Sequence, residues 1–139
     1  MSASSAIDLA VVDVLRADAT LAAMLPDGVY LNLADPGSQR YALVTLSSED
    51  DGAAFGRRNL EDGVYIVQAV ILKSTGGNAG AAADRIDVLL ENVPLVVAGY
   101  LWRATYREHR INYEERDDRD PLIVFKHHGG EYRVQMTPV

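Results

Sequence analysis

The ten-residue stretch VYIVQAVILK, from Val64 to Lys73, decides the fold of this chain. It is rich in β-branched and aromatic residues, which favour strands. Alternate side chains of a strand face opposite ways, and here both sets are apolar, one around Val64 and Val70 and the other around Val67 and Ile71. A strand that is apolar on both faces is typical of the centre of a sheet. We therefore expect helices to cover one of its faces and a second layer, for which another subunit is a candidate, to cover the other.

Two amphipathic helices flank this strand along the chain. The first has apolar residues at Ile7, Val11 and Val14, and Ser4 or Ser5 is its predicted N-cap. Asp18 then predicts a second cap, which opens a short helical turn. The second long helix is predicted to start at Asn78 and to run to about residue 92.

The remaining periodic segments predict strands at about 29–33, 41–46, 100–113, 122–127 and 132–136. The sequence His128-Gly129-Gly130 predicts either a turn between the last two strands or a bulge in one long strand. Strict alternation in the 100–113 segment predicts one shared face for Tyr100, Trp102, Ala104 and Tyr106, either in the core or at a subunit interface. The order of elements predicts an α+β fold, a mainly antiparallel β-sheet with two helices packed on one face, in a single domain over residues 1–139.

Two charged segments interrupt these patterns. SSEDDGAAFGRRNLEDG, at about residues 47–63, predicts a loop far longer than the two to five residues of common hairpins. EERDDRD, at Glu114–Asp120, predicts a hairpin tip or loop. Such charges face water, a partner or another copy of the chain. The interface candidates are Glu49, Asp50, Asp51, Phe55, Arg57 and Arg58 in the first segment and Glu114, Glu115, Asp117 and Asp118 in the second; the alternative is that both segments are solvated or disordered loops.

Composition excludes several functional classes. The chain has 139 residues, a formal net charge of −7 and no cysteine. Tight nucleic-acid binding depends on clustered Lys and Arg, so this charge disfavours it, although a protein that only lets DNA pass tolerates the sign. Without cysteine there is no disulfide framework and no thiolate chemistry. Asp8 and Asp13 within the first apolar stretch argue against a signal peptide, and we expect no membrane span.

No pattern of catalytic or ligand-holding residues stands out. STGGNAG, at Ser74–Gly80, follows a strand and enters a helix but lacks the lysine and spacing of a P-loop. The three histidines, at positions 109, 127 and 128, lack ligand spacing, and the acidic run lacks the glycine and closing glutamate of an EF-hand. The serines lie outside any nucleophile elbow. We therefore expect no catalytic, cofactor or metal site and a protein that is not an enzyme.

The sequence resembles a family once these elements are set in order. AIDLAVVDVLRADATLAAML followed by GVYLNLADPGSQRYALVTL resembles the opening of small tail-completion, or tail terminator, proteins of long-tailed bacteriophages. In that family a helix and a short turn precede a Val-Tyr strand, and a proline-bearing turn precedes an aromatic-led strand; Val29-Tyr30, Pro36 and Tyr41 occupy these places. VYIVQAVILKS, AAADRIDVLLEN and LVVAGYLWRATYREHR resemble later landmarks. The turn GSQRYALV departs from the pattern, because the family often has a proline just before the aromatic residue.

The resemblance implies a structural protein of the virion neck, assembled in the host cytoplasm. It implies a homo-hexameric ring that caps the tail tube, ends its polymerisation and joins it to the head-side connector, with DNA passing through the lumen without specific binding. The two charged segments are then candidates for contacts along the ring axis. Two alternatives remain open, a head-completion or stopper connector of the same particle, and a small-ligand-binding α+β domain with its pocket under the long loop.

Overall fold

The computed structural model describes residues 3–54 and 57–139, and the side chains of all of these except 3, 4, 53, 54, 57 and 58. Its helices are α1 (Ala3–Arg16), α2 (Ala19–Met24) and α3 (Ala79–Leu90). Its strands are β1 (Val29–Leu31), β2 (Arg40–Glu49), β3 (Gly52–Ala54), β4 (Arg57–Leu72), β5 (Tyr100–Arg116) and β6 (Val124–Pro138). Strand β3 pairs only with β4, and the other strands form a sheet in the order β1-β2-β4-β6-β5, antiparallel except for the β1–β2 pair. The predicted α+β class is confirmed.

The stretch that decides the fold lies at the centre of this sheet, as predicted. Strand β4 pairs with β2 on one side and with β6 on the other, where residues 61–72 face residues 136–125 without a break. Tyr65, Val67, Ala69 and Ile71 point into one hydrophobic core with Ile7, Val11, Leu15, Ile86 and Leu90 of the helices. Burial of these side chains is the main favourable term that holds the helices to the sheet.

Two of the three predicted helix caps are correct. Asp18 accepts a hydrogen bond from the Leu21 amide at 2.8 Å, and Asn78 accepts one from the Ala81 amide at 3.0 Å. These bonds satisfy amides that a helix start leaves without a partner. The prediction of Ser4 or Ser5 as the first cap is wrong, because both residues lie inside α1, which already includes Ala3.

The predicted long loop at 47–63 is wrong. Strand β2 continues to Glu49, and the amide of Asp50 donates to the carbonyl of Asp62 at 2.7 Å. Strand β3 then pairs with the start of β4, from Gly52 opposite Leu60 to Ala54 opposite Arg57. Pairing between two strands satisfies their backbone groups whatever the side chains are, so the charges of this segment do not mean irregular backbone.

The predicted boundaries of the last two strands are also wrong. Strand β5 includes Glu114 and Glu115 and ends at Arg116, so only residues 117–123 connect it to β6. Of the two alternatives predicted at His128-Gly129-Gly130, the turn is wrong and the single long strand is correct, although β6 pairs with β4 there without a bulge. A Cβ atom at Gly129 would lie 2.1 Å from the carbonyl oxygen of Val67, so only glycine allows β6 to approach β4 this closely. The register irregularities lie instead on β5, at 102–104 and 107–109.

The first of these bulges overturns the predicted aromatic face of β5. Trp102 faces Met136, a buried core residue, whereas Tyr106 faces Arg133 on the other side of the sheet. An extra residue in a strand reverses which face the following side chains take. Trp102 therefore packs against the core, with its indole Nε1 donating to Thr105 Oγ1 at 2.9 Å, and Tyr106 is exposed.

Candidate assembly surfaces

Two hairpin ends project from opposite ends of the sheet. The last pair between β4 and β6 is Glu61 with Met136, and beyond it extends a hairpin that we name the arm (residues 50–60). At the other end β4 finishes at Leu72 opposite Phe125, and there the last residues of β5 and the turn that joins β5 to β6 form what we name the tip (residues 114–123). The paired positions between these ends span about 40 Å at 3.3 Å per residue. The two charged segments of the sequence therefore lie far apart.

The arm holds most of the first group of predicted interface residues. Glu49 pairs with Gly63 at its base, and Asp50 and Asp51 connect β2 to β3. Arg57 and Arg58 lie opposite Ala54 and Ala53. Phe55 lies outside the described residues. The structure thus places these candidates on one hairpin, and their role as an interface stays a prediction.

The tip holds the second group, and one of its members already has a structural task. The Asp117 carboxylate accepts hydrogen bonds from the amides of Arg119 and Asp120 at 2.7 and 3.1 Å, so it shapes the turn. Glu114 lies 3.7 Å from Lys73 in an exposed ion pair that contributes little to stability. Glu115 and Asp118 are exposed.

One face of the sheet carries no helix. We name it the open face; it is the side of β4 opposite the core. A row of cross-strand partners crosses it from Tyr41 on β2 through Val70 on β4 and His127 on β6 to Tyr113 on β5. The Tyr113 ring stacks on the His127 ring at 4.3 Å between centroids and 8° between planes. Burial lowers the pKa of His127 and raises the pKa of both tyrosines. The predicted second cover of β4 is thus not supplied by the described part of this chain.

The buried imidazole in this row leaves one polar atom without a partner. His127 Nδ1 lies 3.0 Å from Gln68 Oε1, so Nδ1 carries the proton of the neutral ring. Its Nε2 is buried and has no hydrogen-bond partner among the described residues. A buried polar atom in this condition costs stability unless a further donor reaches it.

The end of the open face nearer the arm is polar and internally paired. Arg133 donates to Asp62 at 2.7 Å and to Glu108 at 2.9 Å, and Gln135 donates to Asp62 at 3.1 Å. The hydrogen bond that Arg133 donates to Asp62 raises the pKa of Arg133. The open face therefore divides into a charged half beside the arm and a mainly apolar, aromatic half beside the tip, in which Glu115, opposite Phe125, is a charged group.

A groove of about 450 Å³ lies on the opposite side of the molecule, in the helix layer. Small apolar side chains line it, namely Ala6 and Ala10 on α1, which also pack against the edge of the core, and Ala17 just after α1. Val97 and Ala98, from the segment between α3 and β5, form its other wall. We name it the α1 groove. The carboxylate of Asp13 is its one charged lining group among the described residues.

The residues considered for metal binding do not converge. His127 faces Val70 on the open face and His128 faces Ala69 on the helix side. The described part of the chain contains no group of three or more His, Asp or Glu side chains placed to hold a metal ion. None of the helices in that part is long and apolar enough to cross a membrane.

Sequence reasoning missed the aromatic row of the open face and the α1 groove. The row could have been found by placing His127 beside the central strand, since its neighbours follow from the register alone. The groove had no signal of its own, because alanines on a helix also suit a buried helix contact.

Comparison with known proteins shows the fold. No protein-family model and no curated protein sequence matches the chain. Among solved structures, a chain of "Virion of native gene transfer agent (GTA) particle" has a TM-score of 0.69 at 21% identity, with 98% of each chain covered. The two chains share one fold. A second solved chain has a TM-score of 0.59 at 17% identity, over 100% of this chain and 96% of the other.

Proposed function

We propose that this chain is a structural protein of a tailed-phage or phage-like particle and has no catalytic role. In this proposal it forms a homo-hexameric ring at the neck, caps the tail tube, ends the polymerisation of the tube and binds the head-side connector. It assembles in the host cytoplasm and becomes part of the virion. DNA passes through the lumen without specific binding.

The observation that carries the proposal is the match over almost the whole length of both chains to a chain of a virion particle. Two proteins that occupy the same place in an assembly are expected to match along their whole length, and neither chain here has a large unmatched part. It agrees with the resemblance of the sequence to tail terminator proteins, which rests on other observations, the order of motifs along the chain.

The two hairpin ends support a protein that stands between two different partners. A ring placed between tail tube and head connector needs one contact surface on each side along its axis. The arm, on β3 and β4, and the tip, on β5 and β6, lie at opposite ends of the β4–β6 pair, about 40 Å apart, and differ in structure. We assign them to the two axial contacts, with Arg57, Arg58 and the acids of each segment as contact residues. If the strands lie roughly along the axis, one end reaches each partner.

The test is the native mass of the purified protein across a range of concentrations, with and without the tail-tube protein of the same particle. The expected result is a closed hexamer, or a monomer that becomes one on the tube, together with arrest of tube growth. A protein that stays monomeric with the tube protein present, and leaves tube growth unchanged, would overturn the proposal.

A stopper connector of the same particle is the second candidate, because a two-ended molecule suits that position equally. The two candidates differ in partner: a terminator binds the tube protein and arrests its growth, whereas a stopper binds the portal-side adaptor and leaves the tube protein alone. Pull-down of each purified partner separates them. The ligand-binding alternative loses its main support, since the loop expected to cover a pocket is a hairpin arm.

A further inference from the structure

We propose that neighbouring subunits of the ring contact each other through two different surfaces, the apolar half of the open face on one copy and the α1 groove on the next. This inference rests on the proposed function, because it concerns how that ring closes. It names a partner, a second copy of this chain, and the surfaces that meet.

The first argument is direction. The arm and the tip occupy both ends of the strands, so lateral contacts must use either the edges or the faces of the sheet. Both edges are partly closed. At β1 the Arg16 guanidinium donates to the Val29 carbonyl at 3.1 and 2.7 Å. At β5 the Arg107 amide donates to the Glu91 carboxylate at 2.6 Å, and the Asn92 amide donates to the Thr105 carbonyl at 2.8 Å.

The free part of the β5 edge, beyond Arg107, is also poorly suited to pairing with another strand. Arg110, Asn112, Glu114 and Arg116 are exposed there. Charged side chains on an edge strand are a common device that prevents pairing with other chains. The faces of the sheet and of the helix layer remain for lateral contacts.

The second argument is that the open face is incomplete in the single chain. Val70 is 1% exposed and His127 is 7% exposed, yet the tyrosine that covers the imidazole, Tyr113, is itself 46% exposed. The buried Nε2 of His127 has no partner among the described residues. A layer placed on this face would cover the aromatic row and could bring a donor to that nitrogen.

The third argument is complementary shape. The open face presents large side chains, Tyr41, Tyr113 and Phe125, around His127. The α1 groove is a concave surface of alanine and valine with about 450 Å³ of space, enough for the ends of two aromatic side chains. Small residues allow a facing layer to approach closely, and rings on the open face supply the volume that fills the gap.

The two surfaces lie on opposite sides of the molecule, one on the sheet and the other on the helix layer. A contact between different surfaces is heterologous, so each copy offers a free surface to the next. The series closes into a ring if the rotation between copies closes, and a hexamer requires about 60° per copy. The arm and the tip of every copy then stay free for the axial partners.

The area of this contact is small. Three rows of side chains across four strands cover about 400 Å² on one copy, or about 800 Å² counting both copies. Stable interfaces bury about 1,200–2,000 Å² in total. A pair of copies should therefore associate weakly, and the closed ring, in which every copy makes the contact twice, should form cooperatively with concentration or on the tube.

The experiment uses engineered cysteines, because the natural chain has none. The variants Ala10→Cys, in the α1 groove, and Tyr113→Cys, on the open face, are treated with a short bismaleimide, separately, mixed, and combined in one chain. The expected result is a covalent dimer only in the mixture, and for the double variant a ladder of products that ends at the ring. The mixture of Val88→Cys with Tyr113→Cys is the control, since Val88 is 62% exposed on α3 and outside the groove.

Four outcomes would overturn the inference. The first is a covalent dimer from either single variant alone, which means that identical surfaces meet, and the second is an equal yield of cross-linked dimer from the Val88→Cys control mixture. The third is a ring that gives no cross-link between positions 10 and 113. The fourth is a chain that never associates. The third outcome leaves the proposed function intact if the ring still arrests tube growth, whereas the fourth, together with unchanged tube growth, removes both.

A second variant tests the same contact without cross-linking. Ala10→Trp fills the α1 groove and should raise the concentration needed for association by about tenfold or more. Val88→Trp, on the exposed side of α3, is the matched control and should leave association unchanged. The urea midpoint of each variant verifies that the monomer folds, and an Ala10→Trp protein that is folded and still associates like the natural chain would overturn the proposed contact.

Discussion

Replacing Tyr132 by phenylalanine should change the stability of this protein in opposite directions at neutral and alkaline pH. Tyr132 is 1% exposed, and its hydroxyl donates to the Asp87 carboxylate at 2.7 Å. Tyr65, its direct cross-strand partner, is also buried and donates to Asp8 on α1. Burial, and then the hydrogen bond to a carboxylate, raise the pKa of both phenols well above the usual value.

The size of each stability change follows from the loss of one hydrogen bond and from the ionisation of one phenol. Near pH 8 the variant loses a hydrogen bond to a charged acceptor, and because Asp87 is about a third exposed and rehydrates, the loss is about 1.5 kcal/mol. Above about pH 10 the phenol ionises in the unfolded chain but stays protonated in the folded one, so stability falls by about 1.4 kcal/mol per pH unit for each such tyrosine. Tyr132→Phe removes one of these losses, and its stability should equal that of the natural chain near pH 11.

The assay is urea unfolding followed by circular dichroism at intervals from pH 8 to pH 11.5. The difference in unfolding free energy between the two proteins should shrink above pH 10 and reverse its sign near pH 11. Tyr30→Phe, which removes an exposed hydroxyl bonded to the Asp27 carbonyl, is the control for loss of a phenol oxygen. A constant difference across the whole range would refute the reasoning that a buried phenol is held protonated.

Three further predictions concern the arm, the sheet and the helix layer. Deletion of residues 51–60 joins Asp50 to Glu61, next to the hydrogen bond between the Asp50 amide and the Asp62 carbonyl. The deletion should leave the fold intact and abolish tube capping. A shortened chain that caps the tube normally would show that the arm has no part in capping. Gly129→Ala places a Cβ atom 2.1 Å from the Val67 carbonyl oxygen and should abolish soluble expression. At Gly130 the new atom lies 2.6 Å from the Arg107 side chain and 3.0 Å from the His109 carbonyl oxygen, so Gly130→Ala should lower the soluble yield less; equal yields would contradict the close approach at Gly129. The hydrogen bond from Arg85, and after it the one from the Leu21 amide, hold the pKa of Asp18 at about 2. The stabilisation that ionised Asp18 contributes is therefore present above about pH 4 and is lost as the pH falls towards 2. Asp18→Asn should be less stable than the natural chain at pH 7 but lose less stability on acidification, and parallel stability curves for the two proteins at acid pH would contradict this.

The central strand and the helix starts were predictable because each rests on local information. The doubled apolar pattern of 64–73 placed β4 in the middle of the sheet, and Asp18 and Asn78 marked helix starts by the side chains that cap them. The open face needed the register of four strands, which the sequence does not state. Only after Tyr41, Val70, His127 and Tyr113 are aligned does the row exist as a surface.

The errors share one physical cause, the use of charge and glycine as signs of irregular backbone. The segments 47–63 and 114–116 are highly charged, yet residues 47–49, 52–54, 57–63 and 114–116 form strand pairs, because backbone pairing does not require apolar side chains. Gly129 suggested either a turn or a bulge in one long strand, but it serves close approach between two strands. The bulge near Arg103 reversed the later part of an otherwise strict alternation, and no residue type marks that position reliably.

The unbroken pairing of β4 with β6 makes the molecule a stiff rod between its two ends. Twelve consecutive pairs connect the base of the arm to the base of the tip, and within these pairs neither strand contains a turn or a proline at which the rod could bend. A load applied at one end is therefore carried to the other as displacement of the whole subunit, with no internal hinge to absorb it. If the two ends bind different partners, binding at one end can affect the other end only through tilting or sliding of complete subunits against their neighbours.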